Sequence, residues 1–159
     1  MTKFIGVYAT LAAASSAGLV DQGRDGGRVC RLAHDYQTMD AAQNDTIRLG
    51  YFDWDALLDP ELSVVEFTDL GTSVTMDIGD VTYPDALCAA QDVATAAGTC
   101  NPLKSVSIAN RRKPLWEMLG YASIAAAKLI GARCELLATL EAANPASGTV
   151  GWTIYGSPK

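Results

Sequence analysis

The chain has 159 residues, 49% of them apolar, and a formal net charge of −6. It is long enough to bury a core without help from metals or disulfides, and it has no apolar run of the roughly 18 residues that a membrane-spanning helix needs. The acidic balance argues against binding a phosphate backbone, because the only basic cluster, Arg111-Arg112-Lys113, has no aromatic-basic stripe beside it and reads as a solvated loop.

The first 20 residues imitate a secretory leader, with Lys3, an apolar stretch from Phe4 to Ala14 and small residues at Ser15-Ser16-Ala17. We read them as a retained arm. Residues 1–27, including the glycine turn GRDGG at 23–27, then form an N-terminal arm, and residues 28–159 form one domain. Strict alternation of apolar and polar residues marks a strand with one buried face, and it first appears at residues 46–52, where Ile47, Leu49 and Tyr51 share a side. Residues 73–78 repeat it with Val74, Met76 and Ile78 inward and Ser73, Thr75 and Asp77 toward water; residues 105–109 do so with Val106 and Ile108, and residues 148–155 with Val150, Trp152 and Ile154. Blurred alternation at 28–33, 62–67 and 134–140 predicts further strands with both faces partly covered.

Turn clusters separate these runs at Asp59-Pro60, Asp69-Leu70-Gly71, Gly79-Asp80 and Asn144-Pro145. Two stretches break the pattern. Residues 84–97 carry a Pro near the start, Leu87, Ala90 and Val93 or Ala94 at helical spacing, and a stop at Gly98, which predicts a short helix. Residues 114–120 predict one or two helical turns that plug the sheets with Leu115, Trp116, Met118 and Leu119, while the alanine-rich 123–130 is open between helix and strand. The expected fold is mainly β, an antiparallel β-sandwich of jelly-roll-like type with one or two short helices and an N-terminal arm.

The chain offers little for catalysis. The single histidine, His34, lies near Asp35 without a G-x-S-x-G nucleophile elbow, and GRDGG lacks the Lys and hydroxyl ending of a phosphate-binding loop. The acidic run Asp53, Asp55, Asp59 and Glu61 fails the calcium-loop pattern, because Leu58 stands where the sharp turn needs Gly and Val64 where a bidentate Glu belongs; it reads as a solvated loop. Cys30, Cys88, Cys100 and Cys134 are irregularly spaced with no C-x-x-C pair, so they read as buried free thiols, with a Cys88–Cys100 bridge as the alternative. We therefore expect no enzyme, no cofactor and no metal site.

The order of features after Asn44 resembles a family of bacteriophage head-decoration, or cement, proteins. The residues that carry the resemblance are N-D-T-I-R-L-G at 44–50, V-V-E-F-T-D-L-G-T-S-V-T-M-D-I-G-D at 64–80, Y-P-D-A-L at 83–87, P-L-W-E-M-L-G at 114–120 and S-G-T-V-G-W-T-I-Y at 147–155. The resemblance implies a jelly-roll-like sandwich that forms a homotrimer on the outer surface of the capsid and clamps the major capsid protein, with no nucleic-acid or membrane partner. Candidate partner-binding residues are Phe4, Ile5 and Tyr8 of the arm, and Trp54, expected exposed between Asp53 and Asp55. A carbohydrate- or host-surface-binding sandwich is the alternative, with Tyr51, Trp54, Trp116, Trp152 and Tyr155 as stacking platforms and Trp116 and Trp152 expected in the core.

Overall fold

The computed structural model describes residues 3–5, 29–39 and 42–157, with Lys3–Ile5 and Met39 described by backbone alone. Tyr8, the GRDGG turn and most of the arm lie outside the described residues. In chain order the strands are β1 (Lys3–Ile5), β2 (Cys30–Met39), β3 (Thr46–Phe52), β4 (Leu57–Leu58), β5 (Val64–Phe67), β6 (Thr75–Gly79), β7 (Cys88–Asp92), β8 (Gly98–Cys100), β9 (Cys134–Glu141) and β10 (Gly148–Ser157). Helices α1 (Leu115–Met118) and α2 (Ile124–Lys128) lie between β8 and β9. No helix among the described residues is long and apolar enough to cross a membrane.

The strands form a sandwich of two sheets, ordered β1-β3-β9-β6-β7 and β2-β10-β5-β8, with β4 also on β10. All pairings are antiparallel except that of β1, which adds in parallel to β3 through Lys3↔Thr46 to Ile5↔Arg48. Between the sheets Ile47, Leu49, Met76, Ile78, Leu136, Ala138 and Leu140 meet Val65, Phe67, Val150, Trp152 and Ile154 in one continuous apolar core. The period-2 pattern of β10 is borne out, and β9, central in its sheet, is covered on both faces as its blurred alternation implied, whereas β5, expected to be blurred in the same way, alternates with Val65 and Phe67 buried and Glu66 exposed.

Four expectations about the strands need correction. In β3, the pairing passes from Arg48↔Leu137 to Gly50↔Leu136, leaving Leu49 as an extra residue. This bulge shifts the side-chain alternation by one place, so Phe52 is buried and Tyr51, expected inside, is 46% exposed. The bulge also frees the Leu49 carbonyl, which accepts a buried hydrogen bond of 2.8 Å from the Trp152 indole N–H on the opposite sheet.

Residues 84–97 form β7 and turns in place of a helix. The free edge of β6 recruits them: Leu87 N–H donates to the Ile78 carbonyl, and Thr75 and Met76 pair with Asp92 and Gln91. Ala89 and Ala90 then stand opposite the single residue Asp77, with Ala90 at φ 48° and its amide donating to the Asp77 carboxylate at 2.5 Å. Asp77, expected to face water, is buried for that reason. The Asp92 carboxylate accepts from Ala94 N–H and turns the chain away. Residues 105–109 are not a strand either; they belong to successive turns closed by Val106 N–H to Leu103 O and Asn110 N–H to Ser107 O, with Val106 buried and Ile108 88% exposed.

The turns predicted at Asp59-Pro60, Asp69-Leu70-Gly71 and Gly79-Asp80 hold, and their aspartates explain them. Asp59 accepts from Glu61 and Leu62 N–H, Asp69 from Gly71 N–H, and Asp80 from Thr82 and Tyr83 N–H. At Gly79 a Cβ would lie 1.9 Å from the Tyr83 carbonyl oxygen, so only glycine lets the Asp80 turn fold back this closely. The 114–120 plug is borne out as α1, seated by Leu115 N–H on Ala56 O and Trp116 N–H on Trp54 O, with Leu115, Met118 and Leu119 buried. The open segment 123–130 contains helix α2, capped by the Ser123 hydroxyl accepting from Ala126 N–H.

Trp152→Phe removes the indole donor and leaves a buried carbonyl unpaired, so urea unfolding should show a loss of about 2–4 kcal/mol. Ala90→Gly relieves the left-handed backbone and should raise stability by about 1 kcal/mol in the same measurement.

Candidate partner-binding surface

The bulge in β3 and the start of β9 build a surface at one end of the sandwich. Tyr51 and Phe52 pair with Glu135 and Cys134, and beyond Phe52 the chain turns through Ala56 N–H to Asp53 O. That turn carries Trp54 inward. Trp54 is 2% exposed, which corrects its expected place at the surface; its indole N–H donates to Gly131 O at 2.8 Å. Its ring meets Tyr121 edge-on at 5.4 Å, and Tyr121 meets Tyr83 in the same way at 5.0 Å. The Tyr121 hydroxyl donates to Asp80 Oδ2 at 2.5 Å, completing a carboxylate that also caps its own turn. Burial, followed by this bond to Asp80, raises the pKa of the Tyr121 phenol well above its ordinary value.

Over this rigid floor lies an open depression of about 440 Å³, lined by Tyr51, Trp54, Val81, Ile130, Arg133 and Glu135 among others. Val81 is 71% exposed and Ile130 48%, and Leu129 beside it is 88% exposed. The rim is polar. Arg48 lies 4.8 Å from the Tyr51 ring centre and donates to the Tyr51 hydroxyl at 3.2 Å, which in turn donates to Glu135 at 3.0 Å; Arg133 pairs with Asp53 at 3.1 Å. Such exposed pairs contribute little to stability, but they hold Tyr51 in one orientation. An apolar centre with Tyr and Arg around it is the composition of protein interfaces.

Of the residues proposed from sequence, Trp54 supports this surface from below, and the Phe4 and Ile5 backbone pairs with Ile47 and Arg48 on β3. Tyr8 lies outside the described residues. Among the expected stacking platforms Trp152 is buried, Trp116 and Tyr155 are half-buried, and Tyr51 stands at the surface. Val81, Leu129 and Ile130 were missed; their signal was apolar residues inside turn-forming sequence, directly after Gly79-Asp80 and directly before Gly131.

The other candidate groups have local roles. Within the acidic run, Asp53 pairs with Arg133 and Asp59 caps a turn, and among the described residues no group of three or more His, Cys, Asp or Glu side chains is gathered to hold a metal. His34 is exposed on β2, with its Nδ1 2.9 Å from the Thr153 hydroxyl.

No protein-family model matches the chain, and no curated protein is similar to it in sequence. Among solved structures it is similar to a chain of the cyanophage Pam1 capsid asymmetric unit, with a TM-score of 0.53 and 16% identity, over 84% of this chain and 88% of that one. The likeness is one of fold. It spans both sheets rather than a shared fragment, since so little of either chain falls outside it.

The raised Tyr121 pKa has a consequence for stability. The folded state holds the phenol proton more tightly than the unfolded chain, so this contribution is complete below the unfolded value of 10.0 and is lost as pH rises above it toward the folded value. Chemical unfolding of the wild type and Tyr121→Phe across that window should show a steeper alkaline fall in the wild type; parallel curves would disprove the linkage.

Proposed function

We propose that the chain is a structural virion protein that decorates the outside of a phage capsid, binding the major capsid protein as a homotrimer and stabilising the head, with no catalytic role. The observation that carries this reading is the fold likeness to a cyanophage capsid chain along most of both chains. The strand order supports it. With the short β1 and β4 set aside, the sheets run β3-β9-β6-β7 and β2-β10-β5-β8, the interleaving of a jelly roll, in which two Greek keys fold over each other.

With the Lys3–Ile5 backbone engaged in its own sheet, the depression around Val81 and Ile130 is the better-supported capsid contact. One such surface is small for a stable complex. Three copies on one trimer remove that difficulty, because the second and third contacts form at high effective concentration once the first is made.

Purified protein should co-sediment saturably with capsids that lack it, at a copy number matching three-fold positions. No binding to cognate capsids would refute decoration. The double variant Val81→Asp, Ile130→Glu, folded by circular dichroism, should bind at least roughly tenfold more weakly, a loss of about 1.4 kcal/mol or more for the whole trimer; undiminished binding would remove this surface from the contact.

A further inference from the structure

We infer that Cys88 and Cys100 form a built site of oxidative modification, at which a peroxide closes a disulfide between the two sheets. Cys88 opens β7, on the edge of one sheet, and Cys100 closes β8, on the edge of the other. The chain runs along β7, crosses between the sheets through 93–97 and returns along β8, so the residues farthest from the crossover come to lie opposite each other. Ser105 fixes that approach. Only five positions after Cys100, it donates from its amide to Leu87 O and accepts on its hydroxyl from Ala89 N–H, bracketing Cys88 on both sides. Both thiols are free and buried in the same apolar core, at 0% and 8% exposure, and each perturbs the other's proton affinity.

The pair is also polarised. The hydrogen bond from Cys100, followed by the charge of Lys104, lowers the pKa of Cys88 in spite of burial. Lys104 is held over β7 by Gln91 Oε1 at 3.0 Å. Cys100 is shifted the other way, by the same hydrogen bond and by burial, so it keeps its proton. Cys88 is therefore the more acidic of the two and the one that reacts first, as its thiolate, with Cys100 as the resolving thiol. The Cys88 sulfur attacks one peroxide oxygen, the O–O bond breaks, and hydroxide leaves, giving a sulfenic acid. The Cys100 sulfur then attacks the Cys88 sulfur and displaces the hydroxyl group, which leaves as water with the Cys100 proton. Two thiols and one hydrogen peroxide thus give one disulfide and two waters, a reaction small enough in its oxidant to occur inside a packed core.

The other cysteines serve as internal controls. Cys134 is buried with its pKa raised by burial, and Cys30 donates weakly to Gly156 O at the far edge strand. Folded, full-length protein treated with hydrogen peroxide should lose the mass of two hydrogen atoms, retain two alkylatable thiols after unfolding, and yield a peptide linking Cys88 to Cys100. Its melting temperature should rise by roughly 5–10 °C, reversibly on reduction. Cys100→Ser should abolish the link and the shift, and Cys30→Ser should leave both. Because the peptide map is read on the wild type, it decides the matter even if Cys100→Ser folds poorly. A link involving Cys30 or Cys134, stable oxygen adducts on Cys88 without a link, or four alkylatable thiols at peroxide doses that oxidise a free methionine control would overturn the inference.

Discussion

The bond from the Trp152 indole to the Leu49 carbonyl sets the alignment of the two sheets. Apolar packing between sheets is strong but non-directional, so by itself it tolerates one sheet sliding over the other. A buried donor with a single acceptor does not. The acceptor exists only because the β3 bulge withdraws Leu49 from its ladder with β9, and the donor reaches it only if β10 is in register with that bulge. The same bulge reverses the facing of every residue after it. Phe52 enters the core, Tyr51 turns outward, and the chain is aimed so that Trp54 dives under the 129–133 segment. The exposed surface at this end of the sandwich is thus a direct consequence of the register lock at its centre.

The aspartates have a second organising role. A chain of net charge −6 suggests a negative skin, yet many of its carboxylates bind the backbone. Asp45, Asp59, Asp69, Asp80 and Asp92 each accept from amides one turn away, and Asp77 satisfies the amide that the β7 bulge orphans. A charge-assisted bond to an amide is stronger than a neutral one, and it ends a strand at a defined residue. Spent in this way, the carboxylates are dispersed along the turns instead of converging on a cation. The acidic run at 53–61 has the same character, one member paired with Arg133 and another capping the β4–β5 turn.

How far the sequence could be read follows from where local rules and tertiary demands agree. Strand β10 keeps one face inward from end to end, so its alternation is visible residue by residue. The turns were legible because Asp and Gly act through bonds only two or three residues long. Residues 84–97 were not, because alanine spacing reports helix propensity while the deciding factor, the unpaired edge of β6, is remote in sequence. Residues 105–109 mimic a strand over too short a span, and no sheet edge is there to receive them. Tyr51 and Trp54 were misplaced by a single inserted residue, which changes neither composition nor spacing. Conversely, the surface was hidden because Val81 and Ile130 become neighbours only after β6, α2 and β9 are assembled.

The sheet edges explain why association would proceed through side chains. An exposed strand edge invites pairing with any other edge, a hazard for any protein at high concentration. Here the edges are blunted. β1 and β8 are three residues long, and β7 is bulged at Ala90 beneath the Asp77 carboxylate. The long edge strand β2 is itself irregular, with Leu32 inserted opposite the step from Ile154 to Tyr155 and Arg31 and His34 exposed along it. With backbone pairing discouraged at each edge, the apolar depression on its rigid aromatic floor is the surface best able to bind specifically, since occupying it requires shape and polar complementarity that a generic strand lacks.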